Sequence, residues 1–428
     1  MSSGTLTVGM FGGGTVGGGV IEILRARAAL GPRIRVRKIC VRNASRKRDY
    51  ELPEGCSYVT SYADILDDPE IDTVVEVMGG TTDAKDVVFG AIAKGKHVVT
   101  ANKALLAAFM PELEKALEAQ PSVRFMYEAA VCGAIPIIST MIECFRPDRV
   151  TQLAGIMNGT TNFMLSKMER EGADYGDVLR EAQELGFAEA DPTADVGGFD
   201  VQSKLSILIR LGFGRTTAPS DIPCTGIEAI SAEDFAYASK ALFNSTIKLL
   251  GVARQSEPGG PISAFVSPVI VPRDHVVASI SGATNIVDIA SDNLGTSAFV
   301  GPGAGRFPTA NAVVSDLARL CDGLAPVPFP DEVSCAFEPD FKAQFYVRLN
   351  IKDQHGIIKI VGQLCEDAGI GIYSVLQNTI TDRENLSFVV TTDECRVSQV
   401  RSMAAAFDKH DFSLSKPVII PFLSYPHL

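Results

Sequence analysis

The chain lacks any uninterrupted apolar run that approaches about 18 residues, the length needed to span a bilayer. We therefore expect no membrane-spanning helix. A secretory signal peptide is not expected either, because Gly12 to Gly19 interrupt the first apolar run. These absences predict a cytoplasmic protein by elimination, and they leave an organelle open.

The chain also lacks an excess of positive charge. It has 39 lysines and arginines against 51 aspartates and glutamates, which gives a formal net charge of −12. Nucleic acids and anionic membranes bind basic surfaces, so neither is an expected partner. A small anionic ligand is compatible with this charge, since it needs only one local cationic site.

Paired cysteines are absent as well. Nine cysteines are scattered along the chain, and none of them forms a C-x-x-C pair. Their odd number and their spacing argue against a zinc ribbon or a redox motif, so we expect reduced thiols. No internal repeat or low-complexity tract is found.

The first 130 residues contain an alternation of strand-like and helix-like segments. The strand-like segments are Leu6–Phe11, Arg35–Arg42, Ile71–Met78, His97–Thr100 and Val123–Tyr127. Helical spacing is found at Val20–Leu30, Val87–Lys94 and Pro111–Ala119. Strands that alternate with helices predict an α/β fold with a parallel, Rossmann-type sheet.

A second α/β block closes the chain, after a linker marked by prolines 326, 328 and 330. Its predicted strands and helices, in βαββαβ order, are Phe345–Ile351, Ile357–Ala368, Ile370–Thr379, Leu386–Thr391, Ser398–Ala406 and Pro417–Pro421. This order is that of a ferredoxin-like domain. A chain of 428 residues is too long for one hydrophobic core, so several domains are expected.

Between these two blocks the pattern predicts helices followed by β structure. We expect a loop over Pro258–Pro272 that enters strands at Pro268–Val271 and Val276–Ser281. A glycine-rich turn then precedes a helix at Ala310–Leu320. The predicted domains are residues 1–134 with a returning helix at about 303–322, then 135–302, a linker at 323–340, and 341–428.

A glycine-rich turn, Gly12-Gly13-Gly14-Thr15-Val16-Gly17, follows the first strand and opens the first helix. It fits the G-x-G-x-x-G pattern at Gly12, Gly14 and Gly17. In this context the glycines let a pyrophosphate approach the N–H groups at the helix N-terminus. A plain structural turn is the alternative, and the strand–turn–helix order favours a dinucleotide site.

The end of the second strand decides between the two nicotinamide dinucleotides. An acidic residue there binds the ribose hydroxyls of NAD, whereas an arginine accommodates the 2′-phosphate of NADP. Here the strand ends at Val41-Arg42-Asn43, and Arg46, Lys47 and Arg48 follow. Arg42 therefore favours NADP over NAD, with a solvated surface loop as the alternative.

Two lysines lie at positions where a side chain could bind a ligand or exchange a proton. Lys103 follows a short strand, at the sheet edge where doubly wound folds bind ligands, and can hold a carboxylate or exchange a proton. Lys204 follows Asp200 by four residues, so a helix would place both on one face. A solvated lysine and a surface salt bridge are the structural alternatives, although apolar residues directly after Lys204 indicate a mostly buried helix.

Several motifs, in order, resemble those of homoserine dehydrogenase. They are Gly12–Gly17, Val75–Gly80, Thr100–Lys103, Tyr127–Val131, Gly155–Phe163, Glu189–Lys204 and Gly301–Ala310. The resemblance covers roughly residues 5 to 320. In the final block, the turn from Asp353 to Ile357 is similar to the D-x-x-G turn of an ACT domain. The lack of an aspartate-kinase half is typical of the monofunctional form.

The resemblance implies reversible NAD(P)-dependent hydride transfer between L-homoserine and L-aspartate 4-semialdehyde, in threonine, methionine and isoleucine biosynthesis. It implies catalytic roles for Lys204, Lys103 and Asp200. It implies substrate contacts at Asn158, Gly159, Thr160, Glu189, Asp195 and Asp200. Cofactor contacts are implied at Gly12, Gly14, Thr15, Val16, Gly17, Arg42, Gly79, Thr100, Lys103 and Gly305.

Two other functions are kept as alternatives. One is an NADP-linked oxidoreductase acting on another amino-acid aldehyde or imine. The other is a non-catalytic regulator that senses NADP and an amino acid. The presence of Lys103, Asp200 and Lys204 together argues against the second, because a silent protein has no reason to keep all three.

The family also implies ligands beyond the cofactor. Some members hold a sodium or another monovalent ion on backbone carbonyls, here those of Glu128, Val131, Gly133 and Ile135. An ACT domain implies an amino-acid effector, here threonine, near Asn350, Asp353, Gly356 and Ile357, with a dimerisation module lacking a ligand as the alternative. A homodimer or homotetramer is expected, with 135–302 as the substrate-binding and dimerisation domain.

Overall fold

The structure is a computed structural model that describes residues 4–241, 244–325, 327–377 and 382–423. The chain divides into two compact units. The first consists of Met1–Leu153, Ser203–Asp221 and Asn285–Cys335, and the second of Ala154–Gln202, Ile222–Thr284 and Ala336–Leu428. All nine cysteines are free thiols, as expected.

The first unit contains a six-stranded parallel sheet with the order β3-β2-β1-β4-β5-β6. Its strands are β1 (Leu6–Phe11), β2 (Ile34–Cys40), β3 (Ser57–Val59), β4 (Thr73–Glu76), β5 (His97–Thr100) and β6 (Phe125–Met126). Its helices are α1 (Thr15–Ala26), α2 (Ala63–Leu66), α3 (Thr82–Ala93) and α4 (Lys103–Glu118). The prediction of a Rossmann-type sheet is confirmed. The strand order reverses direction between β1 and β4, which is where such sheets bind ligands.

Several details of this region differ from the prediction. The short elements β3 and α2 were not predicted, and α1 and α3 each begin five residues before the expected Val20 and Val87. Helix α4 begins eight residues before Pro111, at Lys103. Helix α4 begins early because the Asn102 side chain accepts a hydrogen bond from Leu105 N at 3.0 Å and so caps it. Phe109 has non-helical angles just before Pro111, so the predicted start coincides with a kink inside the helix.

Helix α11 (Arg306–Cys321) packs against α1 although more than 280 residues separate their starts. The buried side chains of Val20, Ile21 and Leu24 share one core cluster with Ala310 and Leu317. A Cβ added at Gly19 would lie 2.9 Å from the Ala310 Cβ, so the two helices approach closely there.

The middle of the chain forms a second six-stranded sheet, with the order β11-β10-β7-β8-β9-β12. Its strands are β7 (Val150–Ile156), β8 (Ser245–Arg254), β9 (Ile262–Pro272), β10 (Thr284–Ser291), β11 (Gly295–Pro302) and β12 (Phe337–Glu338). The helices of this region are α5 (Ile137–Glu143), α6 (Gly159–Glu171), α7 (Tyr175–Glu184), α8 (Thr193–Val196), α9 (Phe199–Phe213) and α10 (Ala232–Ala241).

The prediction for residues 258–281 was wrong in two places. Most of the expected loop is strand β9, because it pairs with β8 along the whole length of β8 and this ladder outweighs the local prolines. The expected strand Val276–Ser281 is instead a 3₁₀ turn over Val276–Ser279. His275 initiates that turn, since its Nδ1 accepts from Val277 N at 3.2 Å.

The C-terminal block contains a four-stranded antiparallel sheet with the order β15-β16-β14-β18. Its elements are β13 (Lys342–Ala343), β14 (Phe345–Ile351), α12 (Ile357–Asp367), β15 (Ile372–Gln377), β16 (Leu386–Thr392), β17 (Cys395–Arg396), α13 (Val397–Phe407) and β18 (Val418–Pro421). The six predicted elements are found within two residues of their expected starts. Residues 378 and 379 of the predicted third element, Pro326 of the linker and residues 424–428 lie outside the described residues.

Candidate active site

The glycine-rich turn brings backbone, rather than side chains, to the N-terminus of α1. Gly12 has a φ of +111°, and a Cβ added there would lie 2.6 Å from Val77 O. A Cβ at Gly17 would lie 2.1 Å from Gly12 O. Around Gly14, by contrast, a Cβ would meet nothing within 4 Å, and no side chain caps the helix there. The turn thus leaves the first N–H groups of α1, from Thr15 and Val16 onward, open to an anionic ligand.

Cationic and phenolic side chains lie beside this turn. Arg42 is exposed just after β2. Arg48 Nε and the Tyr50 hydroxyl each donate to Gly13 O at 3.1 Å, and the Arg48 guanidinium lies 4.3 Å above the Tyr58 ring. The sequence pattern pointed to Arg42; the contacts of Arg48 and Tyr50 with the turn were not predicted, although Arg48 belongs to the same basic cluster.

A buried carboxylate organises the ends of β4 and β5. Glu76 is fully buried, and its carboxylate accepts hydrogen bonds from Met78 N at 2.8 Å and from the Thr100 hydroxyl at 2.7 Å. Gly79 N also donates to it at 3.3 Å. Thr100 Oγ1 in turn accepts from Asn102 N at 3.0 Å, and Lys103 is the first residue of α4. Glu76 was missed, although an acidic residue inside an apolar strand is a detectable signal.

Asn158 connects two of the predicted carboxylates. It caps α6, since its Oδ1 accepts from Thr161 N at 2.9 Å. Its Nδ2 donates to Asp195 at 2.7 Å and to Asp200 at 2.9 Å. Asn158 and Asp200 are only 5% and 8% exposed, so this group lies in low dielectric, where such bonds are strong.

The other predicted substrate residues flank Asn158 or lie apart from it. The Thr160 hydroxyl donates to Phe187 O at 2.6 Å, and a Cβ at Gly159 would lie 2.8 Å from Ala283 O. Glu189 is exposed, and its main-chain oxygen accepts from Gln183 Nε2 at 3.1 Å. The structure therefore brings Asp195 and Asp200 to Asn158, and it leaves the Glu189 side chain on the surface.

Asp200 and Lys204 both lie on α9, one helical turn apart and on one face. Asp200 is 8% exposed and Lys204 is 7% exposed. A surface salt bridge would be solvated, and charged side chains are rarely fully buried unless they are paired. The burial of both side chains therefore argues against the solvated surface salt bridge that was the structural alternative.

The loop after β6 has an unusual backbone at the residues considered for an ion. Cys132 and Gly133 have positive φ values of 53° and 45° in succession, and a Cβ at Gly133 would lie 2.8 Å from Gly303 O. The Glu128 carboxylate accepts from Ile138 N and Ser139 N, both at 2.9 Å, and so caps α5. Ile135 O already accepts from Ile137 N at 2.7 Å, and Val131 is buried.

Two family models match the chain. The one described as the homoserine dehydrogenase NAD binding domain covers residues 12–128, and the one described as homoserine dehydrogenase covers residues 136–318. The chain belongs to the homoserine dehydrogenase family. It is therefore an NAD(P)-dependent oxidoreductase, which is the first of the three functions considered from the sequence.

Similar proteins support this membership over nearly the full length. The homoserine dehydrogenase of Synechocystis is 37% identical, over 98% of this chain and 100% of its own. That of Bacillus subtilis is 36% identical over 90% of each. The solved homoserine dehydrogenase of Thiobacillus denitrificans has a TM-score of 0.88 at 35% identity and covers 98% of each chain. A hyperthermophilic archaeal homoserine dehydrogenase, solved with NADPH, shares the fold over 74% of this chain and 97% of its own (TM-score 0.61, 24% identity).

In this chain, the residues considered for an effector lie beyond both family models. Asn350 accepts from the Ser387 hydroxyl at 2.7 Å and donates to Ser415 Oγ at 2.9 Å. Asp353 accepts from Arg383 at 2.6 Å. Gly356 has a φ of +90° at the start of α12, and Ile357 is buried behind it. Gly305, a predicted cofactor contact, likewise has a positive φ, of 119°, at the start of α11.

Proposed function

We propose that the hydride transfer between L-homoserine and L-aspartate 4-semialdehyde is assisted by Lys103 and Lys204, which flank the reacting oxygen. The observation that carries this proposal is the burial of Asp200 and Lys204 one turn apart on α9. A buried lysine next to a carboxylate can stay charged and hold or transfer a proton at the alcohol oxygen.

The proposed site residues have separate roles, in proton transfer and in substrate binding. Oxidation of homoserine removes a hydride from C4 and a proton from its hydroxyl, and a lysine takes the proton. With a dinucleotide held by its pyrophosphate at the Gly12–Gly17 turn, the cofactor would supply the hydride acceptor for this direction and the hydride donor for the reverse one. Asp195 and Asp200, oriented by the Asn158 amide, would bind the substrate ammonium.

The glycine-rich turn fits a dinucleotide, because it is shaped for close backbone approach and leaves the helix N-terminus uncapped. We propose NADP as the preferred form and NAD as the alternative. Arg42 is exposed at the end of β2 and no acidic residue occupies that position, which suits a 2′-phosphate.

The proposed roles of the lysines can be tested by oxidation of L-homoserine with NADP⁺ and with NAD⁺. Lys204→Met should reduce kcat by about two to four orders of magnitude, the usual loss when an acid–base group is removed. Binding of NADPH, followed by fluorescence, should stay within a factor of about two. Turnover near that of the unchanged enzyme would exclude Lys204 as the proton carrier and leave Lys103.

We also propose that residues 341–428 are an ACT domain that binds threonine near Asn350, Asp353, Gly356 and Ile357. The support is the sheet order β15-β16-β14-β18 with two helices, which is that of a ferredoxin-like βαββαβ unit. Inhibition of the enzyme by threonine, and loss of that inhibition in Asp353→Ala, tests the effector role.

The rest of the chain is proposed to form a dinucleotide-binding domain at 1–134 with α11, a substrate and dimerisation domain at 135–302, and a linker.

We also propose a bound monovalent ion, an oligomeric state and a cellular location. The backbone carbonyls of Glu128, Val131, Gly133 and Ile135 are proposed to hold a monovalent ion, and the successive positive φ values at Cys132 and Gly133 support this proposal. A homodimer or homotetramer is proposed, in the cytoplasm. Within the described ranges, no helix has the length and apolarity to cross a membrane.

A further inference from the structure

A buried lysine outside the residues named so far lies on β8. Lys248 is 2% exposed, and its Nζ donates to Ile280 O at 2.9 Å. Burial lowers its pKa to about 8, with Glu169 raising and Arg273 lowering the value. Burying an ammonium group is costly, so a position that keeps one for a main-chain carbonyl calls for an explanation.

The same carbonyl has a second donor, on α6. Asn162 Nδ2 lies 3.4 Å from Ile280 O and donates to Thr284 O at 3.1 Å. The Asn162 amide oxygen is buried and accepts no hydrogen bond among the described residues. The side chain therefore contacts this loop through its amide nitrogen alone. The loop 280–284 is thus held at both ends, by Lys248 and Asn162 together.

The middle of this loop lies against the N-terminus of α6. Ala283 O would be only 2.8 Å from a Cβ at Gly159, which means that the two backbones are in direct contact. The next residue is Asn158, whose amide donates to both Asp195 and Asp200. A displacement of Ala283 would therefore move Gly159 and, with it, the amide that orients the two carboxylates.

We propose that Lys248 and Asn162 are positioning residues, which hold loop 280–284 against Gly159 and so keep the Asn158 amide on Asp195 and Asp200. This inference rests on the proposed substrate role of those three residues. A charged donor suits the task, because charge-assisted hydrogen bonds are shorter and stronger than neutral ones. Small displacements of binding groups reduce turnover strongly, which is why such a loop matters.

The test compares Lys248→Met with Lys248→Arg in the full-length enzyme. Lys248→Met should lower kcat/KM for L-homoserine about tenfold, whereas NADPH binding, measured separately, should change less than about twofold. Lys248→Arg retains charge and donors and should recover part of the loss. Lys96→Met is the matched control, since Lys96 is also buried and donates to main-chain oxygens, of Asp68 at 2.7 Å and Ile71 at 2.6 Å.

Two results would overturn the inference. One is a Lys248→Met enzyme with kcat/KM for homoserine within about twofold of the unchanged enzyme. The other is an equal loss in Lys96→Met, which would indicate general destabilisation. If Lys248→Met does not fold, Asn162→Ala tests the same loop with the same two criteria.

Asn158→Ala separates this inference from the proposed function. A normal KM for homoserine in Asn158→Ala would refute the substrate role of the Asn158 group, and the inference with it. A defective Asn158→Ala beside a normal Lys248→Met would refute only the positioning role.

Discussion

At the scale of single residues, several buried carboxylates of this enzyme hold the backbone in place. Glu76 holds the main chain after β4, and Glu128 caps α5 with both carboxylate oxygens. Burial, and the nearby Glu128, raise the pKa of Asp316, which accepts from Glu128 N at 2.9 Å. The positions of Lys103 after β5 and of Asp200 on a helix were predicted from the sequence, whereas these carboxylates act through contacts distant in sequence.

Arg42 and Arg48 should differ in their effect on cofactor choice. Arg42 is exposed at the end of β2, so Arg42→Ala should weaken NADP⁺ binding about tenfold and leave NAD⁺ nearly unchanged, since only NADP⁺ carries the 2′-phosphate. Arg48 instead donates to Gly13 O, Arg46 O and Asn43 O, so Arg48→Ala should loosen the turn and weaken both cofactors. KM values for both cofactors measure this. Equal losses in Arg42→Ala would show that it does not bind the 2′-phosphate.

Lys248 should leave a signature in the pH dependence of stability. Its folded-state pKa is about 8, mainly because of burial, against an ordinary 10.5. Between about pH 8 and pH 10.5 the unfolded chain therefore binds more protons at this site, and stability rises with pH. The free energy of unfolding of the unchanged enzyme, relative to Lys248→Met, should rise by up to about 3 kcal/mol over this range. Urea unfolding at several pH values measures it, and a flat difference would contradict the shift.

At the scale of elements, the sequence predicted correctly those strands whose positions depend on neighbouring residues alone. β1 and β5 are found at their predicted residues because buried parallel strands are short apolar runs. The segment Ile262–Pro272 was not predicted as one strand, because its ladder with β8 is a tertiary feature that no local pattern contains. The start of α4 at Lys103 was likewise not predicted, because Pro111 was interpreted as the first helical residue although it follows a kink at Phe109 inside the helix.

The two glycines at the start of α1 should respond differently to alanine. Gly17→Ala would place a Cβ 2.1 Å from Gly12 O, so the backbone must shift and both Tm and cofactor affinity should fall. At Gly14 a Cβ meets nothing within 4 Å, so Gly14→Ala should fold with a Tm near that of the unchanged enzyme. Its Cβ would instead occupy the space proposed for the pyrophosphate and weaken NADPH binding. Thermal unfolding and NADPH titration measure both effects; unchanged affinity in Gly14→Ala would place the pyrophosphate elsewhere.

At the scale of the whole molecule, the C-terminal block belongs to a compact unit together with residues from the middle of the chain. The rings of Phe265 and Phe341 stack with centroids 4.0 Å apart. Asp234 is fully buried and accepts from Arg348 Nε and the Tyr346 hydroxyl, both at 2.7 Å. These contacts join the C-terminal block to β9 and α10, so we expect the block to add stability to the second unit besides any regulation.

The Asp234–Arg348 pair allows that contribution to be measured in the full-length enzyme. Arg348→Leu leaves the Asp234 carboxylate buried beside Tyr346 and Ser231 without a cation, which should cost about 3–5 kcal/mol of unfolding free energy. Adding Asp234→Asn removes the unpaired charge, so the double variant should be more stable than Arg348→Leu alone. Urea unfolding of both variants measures the difference, and equal stability of the two would contradict a cost from the unpaired Asp234 charge. Neither residue belongs to the proposed site, so the folded fraction of each variant should oxidise homoserine at nearly the unchanged rate, because catalysis depends on the placement of Asn158, Asp200 and Lys204.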